Sequence, residues 1–180
     1  TLYEGAKSLL QVMDKTITPM GSRLLRRWMA LPLKERGPVE ERLEVVDTFI
    51  SDETLKETLE ERLRLTGDLE RLISKVAVGR INPREMQQVR RALDAIIPVR
   101  KACSETENPT VRRFAEQLNP CDTIRERLHR ELIDDPPVLI SRGRVIAKDI
   151  SPELDELREL AFSGKDYLVR MQRRLSDETG

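Results

Sequence analysis

The stretch NPREMQQVRRALDAIIP, residues 82–98, decides the fold class. Asn82 offers a side-chain oxygen for an N-cap, Pro83 suits the first helical position, where an N–H would go unused, and Glu85 at the third can reach back to the cap amide. Behind this start Met86, Val89, Leu93 and Ile96 recur at helical spacing and define one apolar face. The pattern predicts a helix running to Pro98 or past it. Arg84, Arg90, Arg91 and Arg100 are spread around the cylinder, which argues against a DNA recognition helix.

Upstream, Ala6 to Met13 reads as a short helix with Leu9, Leu10 and Met13 on one face, and Asp14 to Ile17 as a turn. Thr18 can cap a second helix with Pro19 at its first position, Leu24, Leu25, Trp28 and Leu31 along one side and Pro32 as its stop. Trp28 is the only tryptophan in a chain with 3% aromatic residues, so it is expected in the local core. The other side carries Arg23, Arg26 and Arg27, followed by Lys34 and Arg36, the densest basic patch in the chain. It reads either as a solvated face or as a contact for an acidic or phosphate-bearing partner. Gly37-Pro38 opens a third helix with Glu40 in a capping position and Val39, Leu43, Val46 and Ile50 in line. After the break at Ser51-Asp52, Leu55, Leu59 and Leu63 mark a fourth, to about Thr66. Gly67-Asp68 interrupts, and Leu69, Leu72, Ile73 and Val76 form a compact stripe ending near Gly79.

Downstream, Asn108-Pro109 starts a helix expected to turn Val111, Phe114 and Leu118 inward, and Asp122 or Thr123 precedes another with Ile124, Leu128 and Leu132. The period changes at Asp134-Asp135-Pro136-Pro137. Val138-Leu139-Ile140 and Val145-Ile146-Ala147, around Arg142-Gly143, predict a short β-hairpin near residues 138–148. Ser151 can cap a last helix with Pro152 at its first position and Glu153, Asp155 and Glu156 in its first turn, where the helix dipole favours acids. Leu154, Leu157, Ala161, Leu168, Met171 and Leu175 keep its seam apolar for some twenty residues. The fold class expected is mainly all-α: a multi-helix domain with one short hairpin and no internal repeat.

Composition narrows the function. Among 180 residues, 32 Lys+Arg balance 32 Asp+Glu, so whole-chain charge makes no case for nucleic-acid binding. No apolar run is long enough for a membrane span, and Cys103 and Cys121 lack a C-x-x-C spacing, which favours a reduced, intracellular setting. A single histidine, His129, sits among charged neighbours and makes no protein-only zinc site. No P-loop, dinucleotide fingerprint or H-E-x-x-H motif is present. Gly79-Arg80-Ile81 reads as a helix terminator, and Asp134-Asp135 as a polar turn. Asp68, Glu70 and Arg71 read as part of a buried interhelical network. No catalytic, cofactor-binding or metal-binding residue is assigned, and no DNA-contacting residue is identified.

The run LLQVMDKTITPMGSRLLRRWMALPL, residues 9–33, is more specific than composition. With Gly67-Asp68-Leu69-Glu70-Arg71, Arg80 and Pro83, Pro136-Pro137 through Val145-Ile146-Ala147, and Glu153-Leu154-Asp155-Glu156-Leu157-Arg158 before Asp166-Tyr167-Leu168, it resembles the central region of the bacterial MutS family of DNA mismatch-recognition proteins. The resemblance covers essentially the whole chain. It departs at Lys148-Asp149-Ile150-Ser151, where the family usually places a glycine followed by an aromatic and a polar residue. Asp149 stands in the glycine position, so the turn into the last helix is expected to differ.

The resemblance implies that residues 1–180 are a core, or lever, segment ending at the helix that leads into a clamp insertion. Structural and coupling candidates are Thr18, Pro19, Gly21, Arg23, Arg27, Trp28, Gly67, Asp68, Glu70, Arg71, Glu153, Asp155 and Arg158. It further implies a cytoplasmic bacterial parent, acting on the chromosome as a homodimer that uses ATP and Mg, binds mismatched duplex DNA and recruits a MutL-type protein. Its connector, clamp and ATPase domains would be this segment's partners. An alternative is an autonomous helical protein-interaction domain using the Arg23/Arg26/Arg27 face or the Leu154–Leu175 seam.

Overall fold

The computed structural model describes residues 5–179, apart from seven side chains of the last helix, Tyr167 among them; residues 1–4 and Gly180 lie outside this range. The described residues form nine α-helices and no strand: α1 Leu9–Met13, α2 Pro19–Ala30, α3 Arg36–Ser51, α4 Glu53–Thr66, α5 Leu69–Ala77, α6 Pro83–Glu105, α7 Pro109–Gln117, α8 Asp122–Glu131 and α9 Pro152–Thr179.

The stretch quoted at the outset forms the central element. Asn82 and Glu85 close a reciprocal capping box, and α6 continues through Pro98, which has no N–H to offer the preceding turn. Val89 and Leu93 are buried as their spacing requires, but so are Gln87, Arg90, Ala92 and Ala95, because α4, α5, α7 and α8 all pack on α6. Ala92 and Ala95 let neighbouring backbones approach closely. Leu55 of α4, Cys103 of α6 and Val111 and Ala115 of α7 form the main core, backed by Val45 and Phe49 of α3. Burial pushes the Cys103 thiol above its ordinary pKa, which suits a packing residue and not a nucleophile.

Several expectations need correction. The hairpin is absent: Leu139 and Ile140 give their carbonyls to Arg142 and Gly143 in a 3-10 turn at Ile140–Arg142, leaving them no strand partner. Residues 145–147 pair instead with the end of α8, where Ile133 N–H donates to the Val145 carbonyl and Ala147 N–H to that of Glu131, around an isolated Leu132–Ile146 bridge. α3 begins at Arg36, where Glu40 pairs with the Arg36 guanidinium and caps nothing. In α7 Ala115 is buried and Phe114 is exposed. α8 starts from Cys121 in a left-handed conformation, not from a side-chain cap on Asp122 or Thr123.

Candidate functional site

The candidates from the sequence gather at two junctions. The first joins α2 to α5. Thr18 Oγ1 accepts from Gly21 N–H at 3.0 Å and caps α2, with Pro19 in its first turn. Gly21 packs closely here, since a Cβ there would sit 3.2 Å from Thr16 Cβ. Asp14, which the spacing did not mark as a site residue, accepts from Ser22 Oγ at 2.5 Å and from Thr16 N–H and Oγ1 at 3.1 and 2.6 Å. These bonds, that from Ser22 first, hold its carboxyl below the ordinary aspartate range.

With the start of α2 set in this way, Arg23 points across to α5. Its Nη2 lies 2.6 Å from Asp68 Oδ1 and 2.6 Å from Glu70 Oε2, with Nη1 to Asp68 and Nε to Glu70 both at 3.0 Å. A planar guanidinium suits such a two-carboxylate grip. Asp68 is held well below its ordinary value, first by Arg23, and Asp68 and Glu70 in turn hold Arg23 more firmly protonated. Asp68 also caps α5 by accepting from Arg71 N–H. The expected network is therefore interhelical, but Arg23 is its cation and it is not buried: the Arg23 side chain is 49% exposed.

Gly67 lets α5 follow α4 at this junction. Its φ of +63° with ψ of −144° is a region side chains avoid, and a Cβ there would lie 3.2 Å from Gln88 Nε2, which donates to the Leu65 carbonyl. Trp28 is not in the core. It is 41% exposed, with the Arg42 guanidinium of α3 stacked 3.7 Å from its ring centroid. α2 turns its Gly21, Ser22, Leu25 and Met29 side inward, while Arg27 stays exposed in its last turn.

The second junction moors α9. Ser151 Oγ accepts from Leu154 N–H at 3.3 Å. Asp155 Oδ2 accepts from Asp149 N–H at 2.7 Å, and its Oδ1 takes Arg158 Nη1 at 2.8 Å, while Arg158 Nη2 donates to the Ile146 carbonyl at 2.8 Å. Glu153 is exposed in the first turn, where the dipole alone favours it. Asp149 takes φ +64°, so the turn keeps a glycine-like conformation with an aspartate in it.

Elsewhere, Arg90 and Arg84 pin the Asp134–Pro136 turn to α6, the first through Asp134 at 3.0 Å and the second through the Pro136 carbonyl at 3.1 Å. His129 is exposed as expected but not idle: its Nε2 lies 2.8 Å from Asp94 Oδ1, tying α8 to α6. Among the described residues no three His, Cys, Asp or Glu side chains stand together as a metal site, and no helix is long and apolar enough to cross a membrane. The arrangement joins helices to one another.

Comparison with known proteins identifies the family. Residues 2–178 match the family described as MutS domain III. The chain is 53% identical over all 180 residues to the DNA mismatch repair protein MutS of Phocaeicola vulgatus, covering 21% of it. It is 52% identical over the same length to that of Bacteroides thetaiotaomicron, again covering 21%, and 44% identical over 172 residues to that of Cytophaga hutchinsonii, covering 20%. It thus spans about a fifth of the length of the curated relatives it matches. This chain belongs to the MutS family, as its domain III.

Proposed function

We propose that the chain serves DNA mismatch repair as a mechanical and allosteric lever, passing displacement between a DNA-gripping clamp and an ATPase within a longer MutS-type protein. The observation that carries this reading is α9, a single 28-residue helix moored by its first two turns. At 1.5 Å per residue it is a rod of about 42 Å. Helices satisfy their own backbone, so one fixed at its root carries a displacement to its far end without melting. The seam at Leu157, Leu160, Leu168 and Met171 is 47–63% exposed, which suits a rod that packs against further protein along its length.

On this reading the whole protein is a cytoplasmic bacterial homodimer that binds mismatched duplex DNA, uses ATP with Mg and recruits a MutL-type partner. Chemistry belongs to its other domains. This segment contributes no reacting group; it positions. The test is Arg158→Gln in the full-length protein, which takes away the guanidinium that ties Asp155 and the Ile146 carbonyl together at the root of α9. DNA binding and basal ATP turnover are expected to persist, and the change in turnover caused by mismatched DNA to shrink about fivefold or more. Unchanged modulation in a variant whose α9 root is shown to be loosened by hydrogen exchange would overturn the reading.

A further inference from the structure

No residue of α1 or α2 is buried. The inward positions Met20, Gly21, Leu25 and Met29 are partly buried, while Leu24 and Leu31 are 46% and 69% exposed. Residues 31–35, which lead on into α3, carry neither helix nor strand. α3, α5 and α8 likewise hold no fully buried residue, but each packs along another helix, which α2 does not. Two cationic contacts join α2 to the body: Arg23 on Asp68 and Glu70, and Arg42 of α3 stacked on Trp28.

We propose that α1 and α2 form an arm latched to the body by Arg23, and that weakening this latch, by salt or by a competing charged group, releases the arm while the body stays folded. Three features support a latch over a fixed joint. The contact is solvent-exposed, so it weakens as the screening length falls from about 10 Å at 0.1 M salt to about 3 Å at 1 M. It is directional, because one guanidinium spans two carboxylates and holds the arm in one orientation. And its seat is firm, because Asp68 is fixed at the start of α5, whose neighbour α6 lies at the centre of the packed body. The latch stands on this geometry whether or not α9 transmits motion.

Hydrogen–deuterium exchange on the full-length protein tests it, comparing amides of α2 with those around Val89–Ala95 in α6. Arg23→Glu is expected to speed α2 exchange about tenfold with α6 unchanged, since opening free energies are local where few contacts hold an element. In the unmodified chain, raising NaCl from about 0.05 to about 1 M should speed α2 exchange alone, and Arg23→Gln should abolish that response. Exchange in α2 at the original rate in Arg23→Glu would overturn the proposal. So would α2 and α6 accelerating together, which would mean the arm opens only as the whole chain unfolds, or a salt response that survives Arg23→Gln.

Discussion

Asp149 is one of the non-glycine residues in a left-handed backbone conformation. Its φ of +64° lies where a Cβ crowds the backbone, and its amide is committed to Asp155, so the turn cannot relax without unmooring α9. Asp149→Gly is therefore expected to raise stability by about 0.5–1 kcal/mol, read as a higher denaturant midpoint, and a lower midpoint would show that the aspartate side chain does something the geometry does not reveal. Gly67 is the converse. Gly67→Ala meets both a forbidden φ and the Gln88 amide, and should cost about 1–3 kcal/mol in the same measurement. For Trp28, full burial would have made Trp28→Ala cost about 3–5 kcal/mol. With the ring 41% exposed under one guanidinium, about 1 kcal/mol is expected, and a loss near 4 would restore the core assignment.

Among the helices, α8 has the weakest start. Cys121 at its N-cap is left-handed at φ +51° and gives no side-chain cap bond, whereas Asn108, Asn82 and Thr18 cap their own helices. Asparagine tolerates the left-handed region and offers a capping oxygen, so Cys121→Asn should stabilise the chain by about 1 kcal/mol in thermal or denaturant unfolding. No gain would mean the cap oxygen cannot reach a free α8 amide from that backbone. The capped helices were legible in the sequence because each start signal is local: Thr18-Pro19, Asn82-Pro83-Arg84-Glu85, Asn108-Pro109 and Ser151-Pro152 all precede a helix. The hairpin was misread because two short apolar runs about a turn look alike whether they pair with each other or, as residues 145–147 do, with the segment that ends α8, around Glu131–Ile133. Site residues divide along the same line. Asp68 as a cap shows in its own pentapeptide, but its bond to Arg23 spans 45 positions, and the stacking of Arg42 on Trp28 has no spacing signal at all.

Across the whole molecule the helices are stitched by carboxylates as much as by apolar contact. Glu41 of α3 holds Arg113 of α7, Glu85 of α6 holds Lys75 of α5, and Asp68 holds Arg23 of α2. Glu131 is gripped by Arg130 and Arg127 at the end of α8. In each case the cation's hydrogen bond is the largest influence and holds the acid below its ordinary value, as Ser22 does for Asp14. A carboxyl whose folded pKa is depressed adds stability that is fully present above its unfolded pKa, about 4, and disappears as pH falls through the lower folded value. The denaturant midpoint should therefore be flat from about pH 8 to 5.5 and decline steadily below about 4.5. Because Asp68 serves α2 while Glu85 and Glu41 serve the packed body, the arm and the body should both loosen in acid, whereas salt at neutral pH loosens the arm first. A midpoint at pH 3 equal to that at pH 6 would mean that these pairs contribute nothing to folding and that the small core around Val111 holds the helices together unaided.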